Sequence, residues 1–376
     1  MMLGYCSNVH AGTTLEQVQR GLERHAVAVH QRLGGDAPLP VGLWLGADAL
    51  EDARRFGAER LRDWLRDRAL QVFAFNGFPY GDFHGQVVKH EVYRPDWTED
   101  ARTDFTFGLA ELLAGMLDPG CSGGVSTVPL GWGPSMRRED FAICAERLRA
   151  LCIRLERLEE RTGRCIHVDI EPEPGCAIER LEAVGTFFER HLLGGPDDAR
   201  VLRYLRTCVD CCHAAVMFED FARGIEALDE RSIRIGRVQV SSAIDVDMDG
   251  SSAASRTALE SFRDPRWLHQ VVVRDDDGHR FHEDLDDALA CEPGGHWRIH
   301  FHVPVHLKTV GSLGTTQSQL IDAIELLRGR NEALDWEVET YAWSALPDAI
   351  RPDELADGIA AELQWTRARL ADEESP

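Results

Sequence analysis

The stretch that decides the fold is HVDIEPEPGC at residues 167–176. Read with a period of two, its residues His167, Asp169 and Glu171 share one face, and the apolar residues between them share the other. Such a strand is either half exposed or buried on both sides with its polar face turned into a site. The prolines of EPEPGC stiffen the following loop, because each fixes its own φ and disfavours helix in the residue before it.

Seven other short apolar runs have the character of strands, and amphipathic helical patterns separate most of them. One such helix is predicted over residues 138–163, where leucines recur every three or four residues before a final glycine. Eight β–α units predict an α/β fold, a (β/α)8 TIM barrel. A doubly wound open sheet is the alternative, but no glycine-rich phosphate loop follows any strand. The predicted strands lie near residues 4–9, 41–47, 71–78, 123–130, 165–171, 206–212, 237–243 and 336–343.

Two segments interrupt the alternation of strands and helices. Residues 251–310 contain an Asp-Gly hairpin signal followed by HWRIHFHVPVHL, and we interpret them as an inserted hairpin and strand region before the last barrel strand. Residues 77–100 form a long loop of the kind that covers a binding site. Because no linker or repeat stands out, we expect a single barrel domain over residues 1–376 with the insertion inside it.

Composition excludes several classes of function. The formal net charge of −23 repels nucleic-acid phosphates, so we expect no nucleic-acid partner. The N-terminal sequence does not resemble a signal peptide and no apolar run is long enough for a membrane helix, so we expect a cytoplasmic protein. The ten cysteines are then reduced thiols. CVDCC at residues 208–212 contains a CxxC pair, but no second pair stands at zinc-ribbon spacing.

Polar side chains occur at the ends of four consecutive predicted strands. Glu171 ends the fifth strand and Asp210 the sixth, with His213 three residues later; Gln239 lies on the seventh strand and Glu339 on the eighth. Each of these residues alone is readily explained as a buried ion-pair partner. Four together at the mouth of a barrel predict a site for a divalent metal ion, either Mn²⁺, Zn²⁺, Mg²⁺ or Co²⁺.

Other polar residues are expected near the same mouth. His300, His302 and His306 lie within seven residues in HFHVPVH, and His300 and His302 are predicted on one strand face. We expect at least one of the three to reach the site. The remaining candidates for contact with a substrate, from the ends of the first and third strands, are His10, Asn76 and His84.

The sequence resembles the xylose isomerase-like TIM barrels, which include sugar isomerases, epimerases and the endonuclease IV group. The residues that carry the resemblance are HVDIE, CVDCCHAAV and WEVETYAW. NGFPYGDFHG, GGVSTVPLG, EPEPGC, QVSSAID and HFHVPVH further resemble the metabolite traffic protein EboE family. That resemblance implies a role in handling a lipid-linked metabolite and allows peripheral contact with membrane-bound pathway partners.

Carried over to this chain, the superfamily pattern makes Glu171, Asp210 and Glu339 metal ligands and His213 a ligand or substrate contact. Two positions depart from it. Relatives offer histidine or aspartate where this chain has Gln239, so either His302 completes the coordination sphere or metal affinity is reduced. The glutamate expected beyond the fifth strand is displaced to Glu173, which is either a general base or a solvated loop residue.

Three functions remain open on the sequence alone. The first is a metal-dependent isomerase or epimerase of a small polyol or sugar, with Glu171, Glu173, His213 and Glu339 as catalytic residues. The second is a zinc-dependent phosphoester hydrolase of the endonuclease IV type, favoured by the clustered histidines. The third is a non-catalytic metabolite-binding protein, favoured by Gln239 and by the displaced glutamate.

Overall fold

The computed structural model describes residues 1–10, 12–82, 84–85, 87–249, 253–291, 294–330, 332–348 and 351–371. The strands of this part of the chain are β1 (Leu3–Cys6), β2 (Leu39–Trp44), β3 (Leu70–Asn76), β4 (Ser122–Thr127), β5 (Cys165–Ile170), β6 (Leu205–Asp210), β7 (Ile235–Val240), β8 (Ile244–Asp247), β9 (Val271–Asp275), β10 (Gly278–His282), β11 (His296–Ile299), β12 (Thr309–Val310), β13 (Leu313–Thr315) and β14 (Trp336–Val338).

Helices connect these strands, and those between the barrel strands cover the outside of the barrel. They are α1 (Leu15–Gly21), α2 (Val27–Leu33), α3 (Ala47–Phe56), α4 (Ala58–Arg66), α5 (Asp100–Met116), α6 (Asp140–Thr162), α7 (Leu181–Phe187), α8 (Asp198–Tyr204), α9 (Cys211–Val216), α10 (Phe221–Asp229), α11 (Ala253–Glu260), α12 (Leu285–Leu289), α13 (Gln317–Arg328) and α14 (Leu355–Leu370). Two π-helical turns (Leu22–Ala26, Phe188–Leu192) and four 3₁₀ helices (Ser7–Val9, Lys89–Tyr93, Gly133–Ser135, Tyr341–Ala345) complete the helical structure of the described residues.

Eight parallel strands close into a barrel in the order β1-β14-β7-β6-β5-β4-β3-β2. Closure is made by β14, which pairs with β7 on one side and with β1 on the other. This confirms the predicted TIM barrel, including the adjacency of its first and last strands. Several strands end earlier than predicted. The chain passes directly from β1 into the 3₁₀ helix Ser7–Val9, and soon after β14 it enters Tyr341–Ala345.

The polar face of β5 points into the barrel. β5 pairs with β4 and with β6, so it is a central strand. His167, Asp169 and Glu171 are all buried, and so are the apolar residues that alternate with them. Of the two interpretations of this stretch, burial on both sides is therefore the one that the structure shows.

The barrel interior contains charged side chains beneath its mouth, and glycines make room for them. A Cβ atom at Gly42 would lie 1.3 Å from Glu337 Oε1, and one at Gly236 would lie 2.0 Å from Asp169 Oδ1. Glu337 Oε2 in turn lies 3.3 Å from Arg237 Nε, and both side chains are almost completely buried. Glycine is needed on β2 and β7 because any larger residue would occupy the space of these carboxylates.

The insertion is a second sheet with strand order β10-β9-β11-β8-β13-β12. The predicted Asp-Gly hairpin is present, with β9 and β10 antiparallel and Asp275 paired with Gly278. The inserted sheet is wider than the predicted range of 251–310. Along the chain it starts at β8, just after β7, and extends to β13. Both strands belong to this sheet, because β8 pairs with β11 on one side and with β13 on the other.

The prediction that His300 and His302 lie on a strand is wrong. Both follow directly after β11. The strand ends at Ile299, and Phe301 N donates a hydrogen bond to Ile299 O at 2.8 Å. This tight turn leads the chain away from the inserted sheet and toward the barrel mouth. The two histidines therefore follow a turn instead of extending a sheet.

A carboxyl group on α14 is buried against the segment that follows β14. Glu362 Oε1 accepts hydrogen bonds from Thr340 Oγ1 at 2.6 Å and from Val305 N at 3.0 Å. Only 1% of Glu362 is exposed, and burial raises the pKa of its carboxyl from 4.5 to about 7. The folded protein therefore binds this proton more tightly than the unfolded chain does.

Glu362 should make stability fall as pH rises. Its stabilising contribution is fully present below the unfolded pKa and is lost as pH rises through the folded pKa, at a cost of up to roughly 3 kcal/mol. Glu362→Gln keeps the acceptor oxygen and cannot ionise, so the variant should become more stable than wild type as pH rises. Urea unfolding of both proteins at about pH 5 and about pH 8 measures the difference. An equal pH dependence of the two proteins would contradict the prediction.

Candidate metal centre and active site

A cavity opens at the carboxyl ends of the barrel strands, and we call it the mouth cavity. Its volume is about 70 Å³, on a scale where one water needs roughly 10–15 Å³, so a small polar molecule fits. Its floor is polar and comes from the barrel, whereas its walls come from the 77–100 loop and the inserted segment. The lining residues used below are Asn8, Asn76, Tyr93, Glu171, Glu173, His213, His300, His302 and Glu339.

Three carboxylates converge beside this cavity, and we call them the carboxylate cluster: Glu171, Asp210 and Glu339. One oxygen from each lies within 4.8 Å of the others. Each side chain is buried and has one oxygen without a hydrogen-bond partner, namely Glu171 Oε2, Asp210 Oδ2 and Glu339 Oε2. Unpartnered carboxylate oxygens at this range repel one another when ionised. A divalent cation would satisfy all three, so the residues present fit the predicted metal.

Neighbouring groups hold two of these carboxylates in place. Asp210 caps the N-terminus of α9, and its Oδ1 accepts hydrogen bonds from His213 N and Ser241 Oγ, both at 2.8 Å. Glu339 Oε1 accepts from Asn8 Nδ2 at 2.6 Å and from Asn76 Nδ2 at 3.1 Å. In both residues one oxygen is fixed by the protein and the other is left for a ligand, which is the arrangement that orients metal ligands.

The cluster favours bound protons when no cation is present. Burial raises the pKa of Glu171 to about 7. Burial and the charges of Glu171 and Asp210 raise the pKa of Glu339 well above its ordinary value. Burial lowers the pKa of His302 to about 4, whereas for His213 the surrounding carboxylates outweigh burial and raise the pKa. A cation that binds here would displace protons from the carboxyl groups.

Three imidazoles form a second group, the imidazole cluster: His213, His300 and His302. Each ring has its Nδ1 beside a carbonyl-type oxygen: Pro172 O at 2.8 Å, Gln270 Oε1 at 2.7 Å and Glu339 O at 2.7 Å, respectively. Because these oxygens only accept, each Nδ1 carries a hydrogen, and Nε2 carries a lone pair when the ring is neutral. His300 Nε2 lies 3.1 Å from His213 Nε2 and 3.3 Å from His302 Nε2. His300 Nε2 thus has the Nε2 atoms of both other rings within 3.3 Å.

The imidazole and carboxylate clusters are adjacent. One ligand atom each from Asp210, His213 and His302 lies within 4.8 Å of the others. His302 thus shares a neighbour, Asp210, with the carboxylate cluster, and it stays a candidate for a further ligand.

Glu173 reaches the same cavity from the loop after β5. Its Oε1 accepts hydrogen bonds from Tyr93 OH at 2.8 Å and from Gln270 Nε2 at 3.1 Å. Tyr93 belongs to the 77–100 loop and Gln270 to the inserted segment. Burial raises the pKa of Glu173. The side chain is therefore buried and held by two donors, and the solvated-loop alternative for Glu173 does not describe this structure.

Five predicted site residues do not line the mouth cavity. Asp210 lies beside it in the carboxylate cluster, and the other four lie apart from it. Gln239 pairs with Glu337, two residues before Glu339, and its Oε1 accepts from Cys208 Sγ at 3.2 Å. His10 Nε2 lies 2.9 Å from Tyr5 OH, away from the cavity. His84 contacts the backbone oxygen of Asn8 from behind the cavity wall. His306 is half-buried beyond the wall.

Sequence reasoning missed Asn8, Ser241, Tyr93 and Gln270. Asn8 and Ser241 lie near the ends of predicted strands, in SNVH and QVSSAID, so their position is a usable signal. Tyr93 and Gln270 lie in long irregular segments, and no periodicity marks them.

No protein-family model and no curated protein sequence matches this chain. A xylose isomerase-like TIM barrel protein from Mycobacterium smegmatis in complex with magnesium is similar in structure, with a TM-score of 0.51, 12% identity and 98% of both chains covered. The IolI protein with a bound zinc atom has a TM-score of 0.50, 12% identity and the same coverage. The apo 3-keto-D-glucoside 4-epimerase from E. coli has a TM-score of 0.48 and 14% identity, covering 98% of this chain and 99% of its own.

The first two similarities show that this chain has the xylose isomerase-like TIM-barrel fold. This agrees with the fold that the sequence resemblance implied. Among the described helices, none is sufficiently long and apolar to cross a membrane.

Proposed function

We propose that this protein is a divalent-metal-dependent enzyme of the isomerase or epimerase type that acts on a small polyol or sugar. The observation that carries the proposal is the carboxylate cluster, with its three unpartnered oxygens beside the mouth cavity. Glu171, Asp210 and Glu339 would hold the ion, with His302 as a further ligand. A divalent ion bound there supplies Lewis-acid polarisation of a substrate carbonyl and its neighbouring hydroxyl.

Glu173 is the residue best placed to move a proton. It lines the cavity and is not part of the carboxylate cluster, so its charge is not used to hold the ion. Tyr93 OH and Gln270 Nε2 orient it through one oxygen, which leaves Oε2 for a substrate C–H or O–H group. His213 lies beside Glu173 and contributes a substrate contact or a second proton carrier. Glu171 and Glu339 would contribute to catalysis by holding the ion in place.

The cavity size and its polar floor support a small hydroxylated substrate. We further propose that the barrel and the inserted sheet act as one domain, because His300 and His302 of the inserted segment reach the barrel site. A cytoplasmic location is a proposal that rests on the amino-acid sequence. An EboE-type role in metabolite traffic, with its membrane-bound partners, is a proposal supported by the sequence resemblance alone. The charge of −23 supports the absence of a nucleic-acid partner.

Glu173→Gln should lower turnover by at least about 100-fold and leave metal content unchanged, because a positioned base contributes roughly 10²–10⁴ in rate. Tyr93→Phe should give a smaller loss, since Gln270 still holds the carboxylate. Exchange of carbon-bound hydrogen for deuterium in D₂O, followed by NMR over a panel of ketoses and aldoses, measures turnover. Elemental analysis measures the metal.

Glu160→Gln is the matched control, because Glu160 is exposed on α6, far from the cavity. If the metal-loaded wild type exchanges no substrate in the panel, the isomerase proposal loses its support and a metabolite-binding function replaces it. His213→Ala should reduce turnover at least as strongly as it reduces metal retention.

A second candidate function is hydrolysis of a small phosphoester. The imidazole cluster favours it, because imidazole nitrogens suit zinc better than magnesium. More than one equivalent of zinc together with hydrolysis of a chromogenic phosphate ester would support this alternative. Aldose or ketose exchange without esterase activity would exclude it.

A further inference from the structure

Cys212 lies next to the imidazole cluster, and nothing in the proposed reaction uses it. It is the second residue of α9, is completely buried, and donates its backbone N–H to Ser241 Oγ at 2.8 Å. One ligand atom each from Cys212, His300 and His302 lies within 4.8 Å of the others. A thiol and two imidazoles therefore form a third group of potential ligands, distinct from the three carboxylates.

The two imidazoles already have the geometry of a tetrahedral metal site. Their Nε2 atoms lie 3.3 Å apart. Two nitrogens at 2.0–2.1 Å from a tetrahedral ion are about 3.3–3.4 Å apart, as the tetrahedral angle requires. Both Nδ1–H groups are bonded to oxygens, His300 to Gln270 and His302 to Glu339, which is the outer contact that metal-binding histidines usually make.

The amide of Gln270 has a defined orientation, which makes the assignment of His300 firm. Its Nε2 donates to Glu173 Oε1 at 3.1 Å and to Pro174 O at 3.1 Å. Its Oε1 must then face His300 Nδ1, so this nitrogen carries the hydrogen. In the neutral rings the Nε2 lone pairs of His300 and His302 lie close together, and a cation could bind both; His213 Nε2, at 3.1 Å, is the competing hydrogen-bond partner of His300.

We propose that Cys212, His300 and His302 form a second metal site, beside the carboxylate cluster, for a borderline ion such as Zn²⁺ or Co²⁺. Thiolate and imidazole ligands select such ions over Mg²⁺. Cys212 releases its thiol proton to solvent when the ion binds. Three protein ligands leave a fourth position open, and His300 and His302 both face the mouth cavity. His302 then serves this site, and water or substrate completes the carboxylate site.

The proposal goes beyond the proposed function and does not depend on it. A structural role for Cys212 is the competing explanation, because it also packs against Val216, Met217 and Val272. The neighbouring Cys211 provides the comparison. It is equally a buried thiol on α9, but it belongs to the main core and to none of the three groups of potential ligands in the described residues.

The test is a titration of the metal-free full-length protein with Co²⁺, followed by absorption spectroscopy. Thiolate ligation gives a near-ultraviolet charge-transfer band, whereas cobalt bound by carboxylates and imidazoles alone does not. We expect a band that saturates at one equivalent per site in wild type, is lost in Cys212→Ser and is retained in Cys211→Ser. His300→Ala should weaken cobalt binding at the same site.

The outcomes separate this site from the proposed function. Cobalt binding without the band in wild type would overturn the second site and leave the carboxylate site intact. A band that persists in Cys212→Ser would assign it to another thiol and also overturn the proposal. If Cys212→Ser does not fold, the spectra of wild type and Glu339→Gln still test the proposal. Both should show the band, since Glu339→Gln removes only a ligand of the carboxylate site, and loss of the band in Glu339→Gln would overturn the proposal.

Discussion

Adding Mn²⁺ or Zn²⁺ should raise the melting temperature of the wild-type protein, and Glu339→Gln should remove most of that increase. A ligand at 1,000 times its dissociation constant stabilises the folded state by about 4 kcal/mol. For a chain of this length that corresponds to roughly 5–10 °C. The effect follows from the carboxylate cluster, whose three unpartnered oxygens a cation would satisfy in the folded protein only.

Glu339→Gln is informative because it preserves shape. The amide oxygen can still accept the hydrogen bonds that Asn8 and Asn76 give to Glu339 Oε1. Burial and the neighbouring carboxylates already favour the neutral form of Glu339 when no metal is bound, so without metal the variant should be as stable as wild type or slightly more stable. With metal it should gain much less than wild type. Glu160→Gln, which changes an exposed carboxylate on α6, should respond to metal as wild type does.

The measurement is a thermal melt of the three proteins with chelator, with Mn²⁺ and with Zn²⁺. If wild type carries no metal and melts at the same temperature under all conditions, the metalloenzyme proposal fails. If Glu339→Gln keeps the full increase, the ion binds elsewhere, and the site formed by Cys212, His300 and His302 becomes the first place to examine.

The barrel was predictable because its signals are local. Each strand is a short apolar run, and each α-helix between strands has its own periodicity and stop, as α6 has with Gly163. The ends of parallel strands meet at one mouth in this fold, so Glu171, Asp210 and Glu339 could be placed together from their positions at strand ends. The carboxylate cluster is therefore largely a consequence of topology.

Register and loop geometry were not predictable from the same signals. The position of Gln239 on the seventh strand predicts a metal ligand. Its pairing with Glu337, however, places it at a depth two residues before Glu339. Ser241, two residues after Gln239, is the side chain that contacts Asp210. In a strand of period two, a difference of two residues keeps the face and changes the depth, which no pattern in one sequence reveals.

The imidazole cluster also depends on long-range contacts that the sequence pattern does not predict. The spacing of HFHVPVH suggested a shared strand face for His300 and His302, yet their convergence depends on the turn at Phe301 and on His213 from α9. The sequence shows Cys212 only as the residue that follows the CxxC pair Cys208 and Cys211. Its nearness to two histidines about 90 residues away in sequence arises from tertiary folding alone.

Gly42→Ala should be among the most destabilising single substitutions in the barrel. The added Cβ would lie 1.3 Å from Glu337 Oε1, so the carboxylate has to move. Glu337 is completely buried and pairs with Arg237, which is also buried. Overpacking costs about 1–3 kcal/mol, and separating a buried ion pair costs about 3–5 kcal/mol, so we expect a loss of at least about 3 kcal/mol.

Gly81→Ala is the matched control, because a Cβ at Gly81 meets nothing within 4 Å. Urea unfolding should place it within about 0.5 kcal/mol of wild type. Glu337→Ala will be destabilising by itself, since it leaves Arg237 without its partner. However, Glu337→Ala also removes the oxygen with which a Cβ at Gly42 would clash. Gly42→Ala should therefore lower the free energy of unfolding much less in this variant than in wild type. Independent, additive losses in the double variant would show that Gly42 and Glu337 are not in contact.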